Sequence, residues 1–391
     1  MSSIIASLPL PSPKGFLTCA LNVGIKDNSK DLICIFSQPP CNAAGFFTKS
    51  LFAGPSVQFS RDHLSRGTAR AIIAISKNAN VATGPAGKCD AMEIISRSAN
   101  ALQIEKEDVL LCSTGVIGKR YPMKRILPNL TTLNHRLQPA DFAAVAEGIM
   151  TTDTHPKYAA ARINDAVVVG VAKGVGMMEP NMATLLAFFA TDAEIDSSSL
   201  KNIFQRVVNK TFNCLSIDTD TSTSDSAIIL ANGLAGPVDL AEFELTLEKI
   251  AIHLVKAIAR DGEGSSKLIE VIVDDARNEE QAKRVGKAVV NSPLVKTAIH
   301  GADPNWGRIA MAIGKCDTEY DVKPDRTVIR FGDLEVYPNA CSDIDLERLR
   351  QMLRGDEVQI HISLNTGNSL ARVWGCDLSR EYVDLNSRYT T

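Results

Sequence analysis

A threonine that follows a glycine-rich turn is the residue of this sequence that is best placed to act as a nucleophile. Thr184 ends the segment KGVGMMEPNMAT, and an apolar run starts directly after it. Gly174 and Gly176 free the backbone and Pro180 stiffens it, so such a loop can hold one peptide bond under strain. The Thr184 hydroxyl could then attack the carbonyl of Ala183 and cleave the chain between these two residues.

Cleavage at this bond would leave Thr184 as a new N-terminal residue with a free α-amino group. The reference pKa of such a group is roughly 7.7 to 8.0, which makes the amine a usable general base beside its own hydroxyl. One nucleophile would thus serve self-cleavage and a later acyl transfer. The residues alone also fit a simpler interpretation, in which a Gly/Pro loop precedes an ordinary core strand.

Hydrophobic patterning predicts strands and helices that alternate along the whole chain and that must position this loop. Strands are predicted at 32–36, 71–75, 109–112, 166–172, 185–190, 268–274, 357–364 and 369–375, the last of them paired with the one before it. Helices are predicted at 142–150, 200–208 behind a cap at 197–199, 243–258 and 279–290, and a hairpin at 327–337 that turns at Gly332 and Asp333. This interleaving indicates α/β or α+β layers.

The composition limits the class of protein. The chain has 391 residues, which exceeds the usual size of a single hydrophobic core and predicts two or three packed units. It carries 42 Lys and Arg against 45 Asp and Glu, a formal charge of -3, with no basic block, so nucleic acid is not an expected partner. The hydrophobic share of 45% and the charged share of 22% are typical of a folded globular protein.

The cysteines and the N-terminal residues indicate the cellular compartment in which the protein is expected. Nine cysteines are scattered, with no CxxC pair and no grouping with the six histidines, which favours a reducing compartment and argues against a structural zinc site. The start MSSIIASLPLPSPKG is a poor signal or transit peptide, since no basic residue precedes Lys14. No run approaches the ~18 to 20 apolar residues that cross a bilayer. We therefore expect a cytoplasmic protein without membrane contact, metal or cofactor.

Other motifs that could carry chemistry are incomplete. Residues 216–225, SIDTDTSTSD, are rich in carboxylates and hydroxyls but lack the Gly and final Glu of an EF-hand, so we interpret them as a turn near the site. GPAGKCD fails the P-loop pattern because Cys89 stands where Ser or Thr should follow the lysine. His300 and Asp303 could form an acid/base pair, yet no serine-nucleophile motif accompanies them. We interpret their segment as structural or as support for a site.

Five short motifs identify a family that this chain resembles. STGVIG (113–118), IMTTDTHPK (149–157), KGVGMMEPNMATLL (173–186), DGEGSSKL (261–268) and GADPNWGR (301–308) stand in the order found in the ornithine acetyltransferases. The resemblance extends from about Pro13 to the terminal YTT. This family, also called glutamate N-acetyltransferases, comprises self-processing N-terminal-nucleophile enzymes. They transfer acetyl from N-acetyl-L-ornithine to L-glutamate by a ping-pong route through an acetyl-threonine ester.

The resemblance implies a nucleophile, a fold and an assembly. Thr184 matches the family nucleophile and the bond between Ala183 and Thr184 the self-cleavage site, which gives an α chain of residues 1–183 and a β chain of 184–391. The implied fold is α/β, with β-sheets layered with helices in two lobes and Thr184 at a strand start between the two halves. Associated αβ units of the family form larger homo-oligomers, and no cofactor or metal is implied.

The resemblance also implies the residues of the site. Thr114 and Gly115 match the oxyanion hole, where a hydroxyl and a backbone N–H stabilise the tetrahedral intermediate. The matching substrate-binding positions are Thr151 (or its neighbour Thr152), Lys173, Thr184, Glu263, Asn386 and Thr391. Lys173 suits a substrate carboxylate, and Glu263 could hold the substrate ammonium or tune the Thr184 amine. On residues alone, Lys173 would be a solvated strand-end lysine and the last residues a frayed tail, so the family site requires a docked C-terminus.

Three alternatives stay open at this point. An enzyme of this kind could also accept acetyl-CoA and so act bifunctionally. An aminopeptidase or amidase with the same nucleophile would pass the acyl group to water instead of glutamate. A processed binding protein would sequester an acyl-amino acid without turnover.

Overall fold

The computed structural model describes residues 3–26, 28–179, 185–339 and 341–388, so Ala183, Thr184 and Thr391 lie outside the described residues. The strands are β1 Phe16–Leu21, β2 Leu32–Phe47, β3 Thr68–Ile75, β4 Val109–Ser113, β5 Gln138–Pro139, β6 Lys157–Ile163, β7 Ala166–Lys173, β8 Leu186–Glu194, β9 Ser226–Pro237, β10 Leu268–Ala276, β11 Val328–Phe331, β12 Leu334–Tyr337, β13 Glu357–Ser363 and β14 Ser369–Cys376. The helices are α1 Pro55–His63, α2 Gly84–Leu102, α3 Met123–Thr131, α4 Leu133–Arg136, α5 Phe142–Ile149, α6 Ser197–Lys210, α7 Leu240–Arg260, α8 Glu279–Val290, α9 Pro293–His300, α10 Gly307–Gly314, α11 Asp343–Leu353 and α12 Arg380–Arg388. The expected α/β class is confirmed.

A large mixed sheet in the order β4-β3-β2-β9-β8-β7-β6 forms the centre of the molecule. Its long strand β2 carries two prolines, Pro39 and Pro40, where its register with β3 shifts. The first half of β2 pairs with β1 and β3, whereas its second half pairs with β9. The sheet thus continues through β2 from one group of strands to another.

The two halves of this sheet face each other across one hydrophobic core. Ile33 and Leu110 from the first half cluster with Val169 and Phe188 from the second. Helices α2 and α3 cover the outer face of the first half, and α6 and α7 cover the outer face of the second. Because β7 is covered on both sides, it is buried at every position, as its continuous apolar run predicts.

A smaller sheet in the order β12-β11-β13-β10-β14 corrects one predicted pairing. The segment 369–375 was expected to pair with 357–364, but β14 pairs with β10, which lies between them. The connection crosses the end of β10, where the N–H groups of Thr366 and Gly367 donate to the Asp275 carbonyl at 2.7 and 3.0 Å. A Cβ on Gly367 would lie 2.5 Å from the Ala276 carbonyl oxygen, so this crossing needs glycine.

The predicted helices and the hairpin are confirmed, with one change at a cap. Helix α6 begins after Asp196, whose carboxylate accepts the N–H groups of Ser198 and Ser199 at 3.0 Å each. The serines expected as the cap therefore form the first turn, and the aspartate caps it, because its side chain reaches both free N–H groups. The hairpin turns at Gly332, whose φ is +55°. Within the described ranges no helix has the length and hydropathy to span a membrane.

Candidate active site

A cleft lies at the end of the large sheet where β7 ends and β8 and β9 begin. Register places Lys173 of β7 opposite Leu186 of β8, and Leu186 beside Ser226 of β9. The six predicted site residues that the structure describes all line this cleft: Thr114, Gly115, Thr151, Lys173, Glu263 and Asn386. Met178 and Leu185, which flank the predicted cleavage site, line it as well.

The turn after β4 forms one wall of the cleft. The N–H of Thr114 donates to the Ile75 carbonyl at 2.9 Å, and the N–H of Val116 donates to the Lys77 carbonyl at 3.4 Å. Gly115 has a φ of +126°, and a Cβ there would lie 2.2 Å from the carbonyl carbon of Lys77. Glycine is therefore required for this turn to pack closely against the backbone at Lys77.

A buried hydroxyl network supports this turn from below. The Ser113 hydroxyl contacts the hydroxyls of Ser56 and Tyr121 at 2.8 Å each. Burial raises the pKa of Tyr121, so the phenol stays a neutral donor at ordinary pH. In contrast, the Thr114 hydroxyl makes no hydrogen bond to any residue of the described ranges. It is therefore a donor that a ligand in the cleft can use.

Lys173 presents an ammonium group to the cleft from the end of β7. The residue is 8% exposed, and its side chain makes no hydrogen bond or ion pair with the described part of the chain. Burial lowers the pKa of Lys173, while the nearby carboxylates of Asp153, Asp225 and Glu263 oppose that change. A buried cation of this kind is suited to a carboxylate ligand.

Glu263 lies across the cleft at the turn after α7. Its N–H donates to the Val175 carbonyl at 2.9 Å, which ties this turn to the loop behind β7. The Thr152 hydroxyl donates to Glu263 Oε1 at 2.9 Å, and the Asn386 amide donates to Oε2 at 2.8 Å. Thr151 and Thr152 both line the cleft, and it is Thr152 whose hydroxyl bonds the glutamate.

The C-terminal helix α12 docks on this same turn. The Ser379 hydroxyl donates to the Gly264 carbonyl at 2.5 Å, and the Tyr382 hydroxyl donates to Asp218 at 3.4 Å. A Cβ on Gly264 would lie 2.5 Å from the backbone nitrogen of Tyr382. The chain is thus held at the cleft as far as Asn386, whose amide reaches Glu263.

The loop that leads to the predicted cleavage site is fixed by the segment 216–225. Asp218 accepts the N–H groups of Met177 and Met178 at 2.7 Å each, and the Glu179 N–H donates to the Asp220 carbonyl at 2.7 Å. Met177 has a φ of +52°, an unfavourable conformation for a residue with a side chain. Strained backbone therefore lies close to Thr184 in sequence, and the surrounding hydrogen bonds hold it in place.

Three charged residues behind the cleft were missed by sequence reasoning. Lys157 Nζ lies 2.8 Å from Asp153 Oδ1 and 2.6 Å from Asp261 Oδ2, and all three side chains are almost completely buried. Each belongs to a motif quoted above, IMTTDTHPK or DGEGSSKL. The available signal was a lysine at the start of a mostly apolar strand, with an aspartate four residues before it.

His300 supports the site from outside. It does not line the cleft, and its Nδ1 lies 2.7 Å from Asp377 Oδ2. Asp377 also accepts the N–H groups of Ser266 and Lys267 at 2.8 and 2.9 Å, so the pair holds the turn that carries Glu263. Within the described ranges, no group of His, Cys, Asp or Glu side chains is arranged to hold a metal ion.

Comparisons with known proteins identify one family over nearly the whole chain. Residues 18–391 match the model of the ArgJ family. The chain is 57% identical to the arginine biosynthesis bifunctional protein ArgJ 2 of Nostoc sp., over 97% of this chain and 98% of that protein. It is 51% identical to the glutamate N-acetyltransferase Oat2 of Streptomyces clavuligerus, with the same coverage of 97% and 98%. The crystal structure of an ArgJ protein from Bacillus halodurans matches at 40% identity and a TM-score of 0.47, over 51% of this chain and 96% of that one.

Proposed function

Because this chain belongs to the ArgJ family, we propose that it is an acyltransferase that moves acetyl from N-acetyl-L-ornithine to L-glutamate. One observation carries the proposal. A single cleft, lined also by Leu185 directly after the predicted cleavage site, combines the hydroxyl of Thr114, the buried ammonium of Lys173 and the carboxylate of Glu263. Both substrates are α-amino acids or their acetyl derivatives, so a carboxylate-binding cation and an ammonium-binding anion suit them.

The enzyme first cleaves itself. The Thr184 hydroxyl attacks the Ala183 carbonyl carbon, the C–N bond breaks as the chain shifts to an ester, and water hydrolyses that ester. Residues 1–183 then end in a carboxylate, and Thr184 gains a free amine. The loop before Glu179 is held by Asp218 and contains the unfavourable Met177, and backbone strain so close in sequence to Thr184 supports this step.

Acetylation of the enzyme follows. The Thr184 amine takes the proton of its own hydroxyl, and the oxygen attacks the acetyl carbonyl of N-acetylornithine. The Thr114 hydroxyl and the Gly115 N–H stabilise the oxyanion. The C–N bond then breaks, the proton passes to the departing α-amine, and ornithine leaves an acetyl-Thr184 ester behind.

Glutamate discharges the ester by the reverse sequence. Lys173 binds a substrate carboxylate, and Glu263, held by Thr152 and Asn386, faces the ammonium end of the bound amino acid. The α-ammonium group of glutamate gives up one proton to solvent, and the resulting amine attacks the ester carbonyl. The ester C–O bond breaks, and the Thr184 oxygen leaves with a second proton from the attacking nitrogen. The products are N-acetylglutamate and the free enzyme.

Mass spectrometry under denaturing conditions tests nucleophile, donor and acceptor together. We expect two fragments, 1–183 and 184–391, with one acetyl group on the second after incubation with N-acetylornithine and its loss on addition of glutamate. A single uncut chain, or an acetyl group elsewhere, would contradict the proposal. Loss of acetyl at the same rate in buffer alone would identify a hydrolase. The same experiment with acetyl-CoA decides whether the enzyme is bifunctional, as the name of the Nostoc relative says of that protein.

Thr114→Val tests the oxyanion hole. The change keeps the shape of the side chain and removes one donor, so we expect kcat of the processed enzyme to fall by ~10²- to 10³-fold. The KM for either substrate should change much less, because the oxyanion exists only in the transition state. Thr131→Val, on the exposed face of α3, is the control and should keep wild-type kcat. Equal kcat in both variants would remove Thr114 from the mechanism.

The same proposal has three further parts. The chain divides into residues 1–183 and 184–391, the resulting αβ units assemble into larger oligomers, and the enzyme is located in the cytoplasm. Family membership supports all three. The fragment masses test the first, and light scattering of the processed enzyme tests the second.

A further inference from the structure

A buried cluster of Asp153, Lys157 and Asp261 connects the segments that carry the proposed substrate-binding residues. The Lys157 ammonium lies between the two carboxylates, at 2.8 Å from Asp153 and 2.6 Å from Asp261. The side-chain exposures are 0% for Asp153 and Lys157 and 3% for Asp261. Isolated charges at such depth are costly, so this cluster persists only because the charges compensate each other.

Backbone hydrogen bonds tie the cluster to the cleft. Asp153 Oδ2 accepts the Thr151 N–H at 3.1 Å, and Asp153 Oδ1 accepts the Gly174 N–H at 2.9 Å. Asp153 therefore fixes the residue directly after Lys173. Asp261 accepts the Thr154 N–H at 3.0 Å and stands at the end of α7, two residues before Glu263.

The charges of the cluster do not cancel. Two carboxylates surround one ammonium, which leaves a formal charge of one negative unit beside the end of β7 that carries Lys173. Asp153 is the strongest of the charged groups that raise the pKa of Lys173 against the effect of burial. The other charged groups that face Lys173 are Lys157, which lowers its pKa, and Asp225 and Glu263, which raise it.

We propose that Asp153 is a positioning residue that keeps the side chain of Lys173 charged and in place as the anchor for the substrate carboxylate. Lys157 and Asp261 hold Asp153 in this position. The inference rests on the proposed function, since the carboxylate is that of glutamate or N-acetylornithine. In the IMTTDTHPK motif, Asp153 then has an electrostatic role as well as a structural one.

The test compares Asp153→Asn with Asp261→Asn. Both variants remove one carboxylate from Lys157, so both weaken the same buried cluster by the same change of charge. Of these two carboxylates, Asp153 is the one that accepts the N–H of Gly174, directly after Lys173, whereas Asp261 accepts that of Thr154. The KM for glutamate is measured from pH 6 to 10 in the processed enzymes, and it should rise when Lys173 loses its proton. Ionisation of glutamate and of the Thr184 amine is common to all variants, so the differences between profiles report on Lys173.

We expect the rise in KM to begin about 1 to 3 pH units lower in Asp153→Asn than in the wild type. Asp261→Asn should keep the wild-type midpoint, although its yield or stability falls. An equal shift in both variants, or no shift in either, would overturn the assignment. A purely structural role for Asp153 would reduce the amount of active enzyme without moving the midpoint.

Lys173→Arg provides an independent check. A guanidinium stays protonated throughout this pH range, so Asp153→Asn should produce no shift in the Lys173→Arg background. A shift that survives there belongs to another group and refutes the proposal.

If Asp153→Asn does not fold, Asp153→Glu replaces it. The charge is kept, so the midpoint should stay near that of the wild type while kcat falls. A downward shift in Asp153→Glu would contradict the role of the charge. If the wild-type enzyme transfers no acetyl group to glutamate, the proposed function itself is refuted.

Discussion

Replacement of Thr184 by alanine is expected to leave one chain of 391 residues and no acetyl transfer. The hydroxyl is the nucleophile of both reactions, and without cleavage the residue has no free amine to act as a base. Denaturing mass spectrometry should show the intact chain, and steady-state assays with N-acetylornithine and glutamate should show no turnover above background. This is the largest effect expected of any single substitution.

Thr184→Ser is the matched control for that experiment. Serine keeps the hydroxyl and, after cleavage, the adjacent amine, so the variant should still split before residue 184 and form the acetyl ester at a reduced rate. Two fragments from the alanine variant would show that another group cleaves the chain. A wild type that binds N-acetylornithine without turnover, with affinity kept in the alanine variant, would identify a binding protein.

Much of the fold follows from local patterns in the sequence. The run AVVVGVA predicts a strand covered on both faces, and β7 is buried along its whole length. Helix α8 spans Glu279–Val290 as predicted, because Asn278 caps it and its apolar residues recur at helical spacing. The exact ends of helices and strands, and the pairing between strands, depend on residues that are distant in sequence. The pairing of β14 with β10 depends on a crossing over Asp275 that no local period encodes.

The site shows the same division between local and distant information. Motifs led to the six cleft residues only through the family resemblance, since pattern alone favoured a solvated Lys173, which is buried in the structure. The cluster behind the cleft depends on an ion pair between Lys157 and Asp261, which are 104 positions apart. No spacing rule covers that separation. The role of a lysine at the start of a mostly apolar strand can be interpreted only when the fold brings its partners to it.

Lys157→Met is expected to cause the largest loss of stability among the substitutions considered. It leaves Asp153 and Asp261 buried without their shared cation, and removal of one partner of a buried pair costs about 3 to 5 kcal/mol. Burial alone would raise the pKa of Asp153, but Lys173 and Lys157 outweigh it and the pKa is lowered. The stabilisation is therefore present above the ordinary carboxyl pKa of about 3.9 and is lost as the pH falls below it. The free energy of unfolding in urea, at one protein concentration, should differ most from the wild type near neutral pH and less below about pH 3.

Lys256→Met is the matched control, because Lys256 also bridges two carboxylates, Glu270 at 3.0 Å and Glu357 at 2.9 Å. Its side chain is 26% exposed, and each carboxylate keeps a second cation when the lysine is removed, Arg372 for Glu270 and Arg260 for Glu357. Screening by water and these remaining partners limit the expected loss to about 1 kcal/mol. Equal losses of unfolding free energy in the two variants would mean that burial of the Asp153 cluster does not increase its contribution to stability. A large loss in Lys157→Met alone would show that the cluster joins the β6 strand, the end of α7 and the loop behind β7 into one rigid support for the cleft.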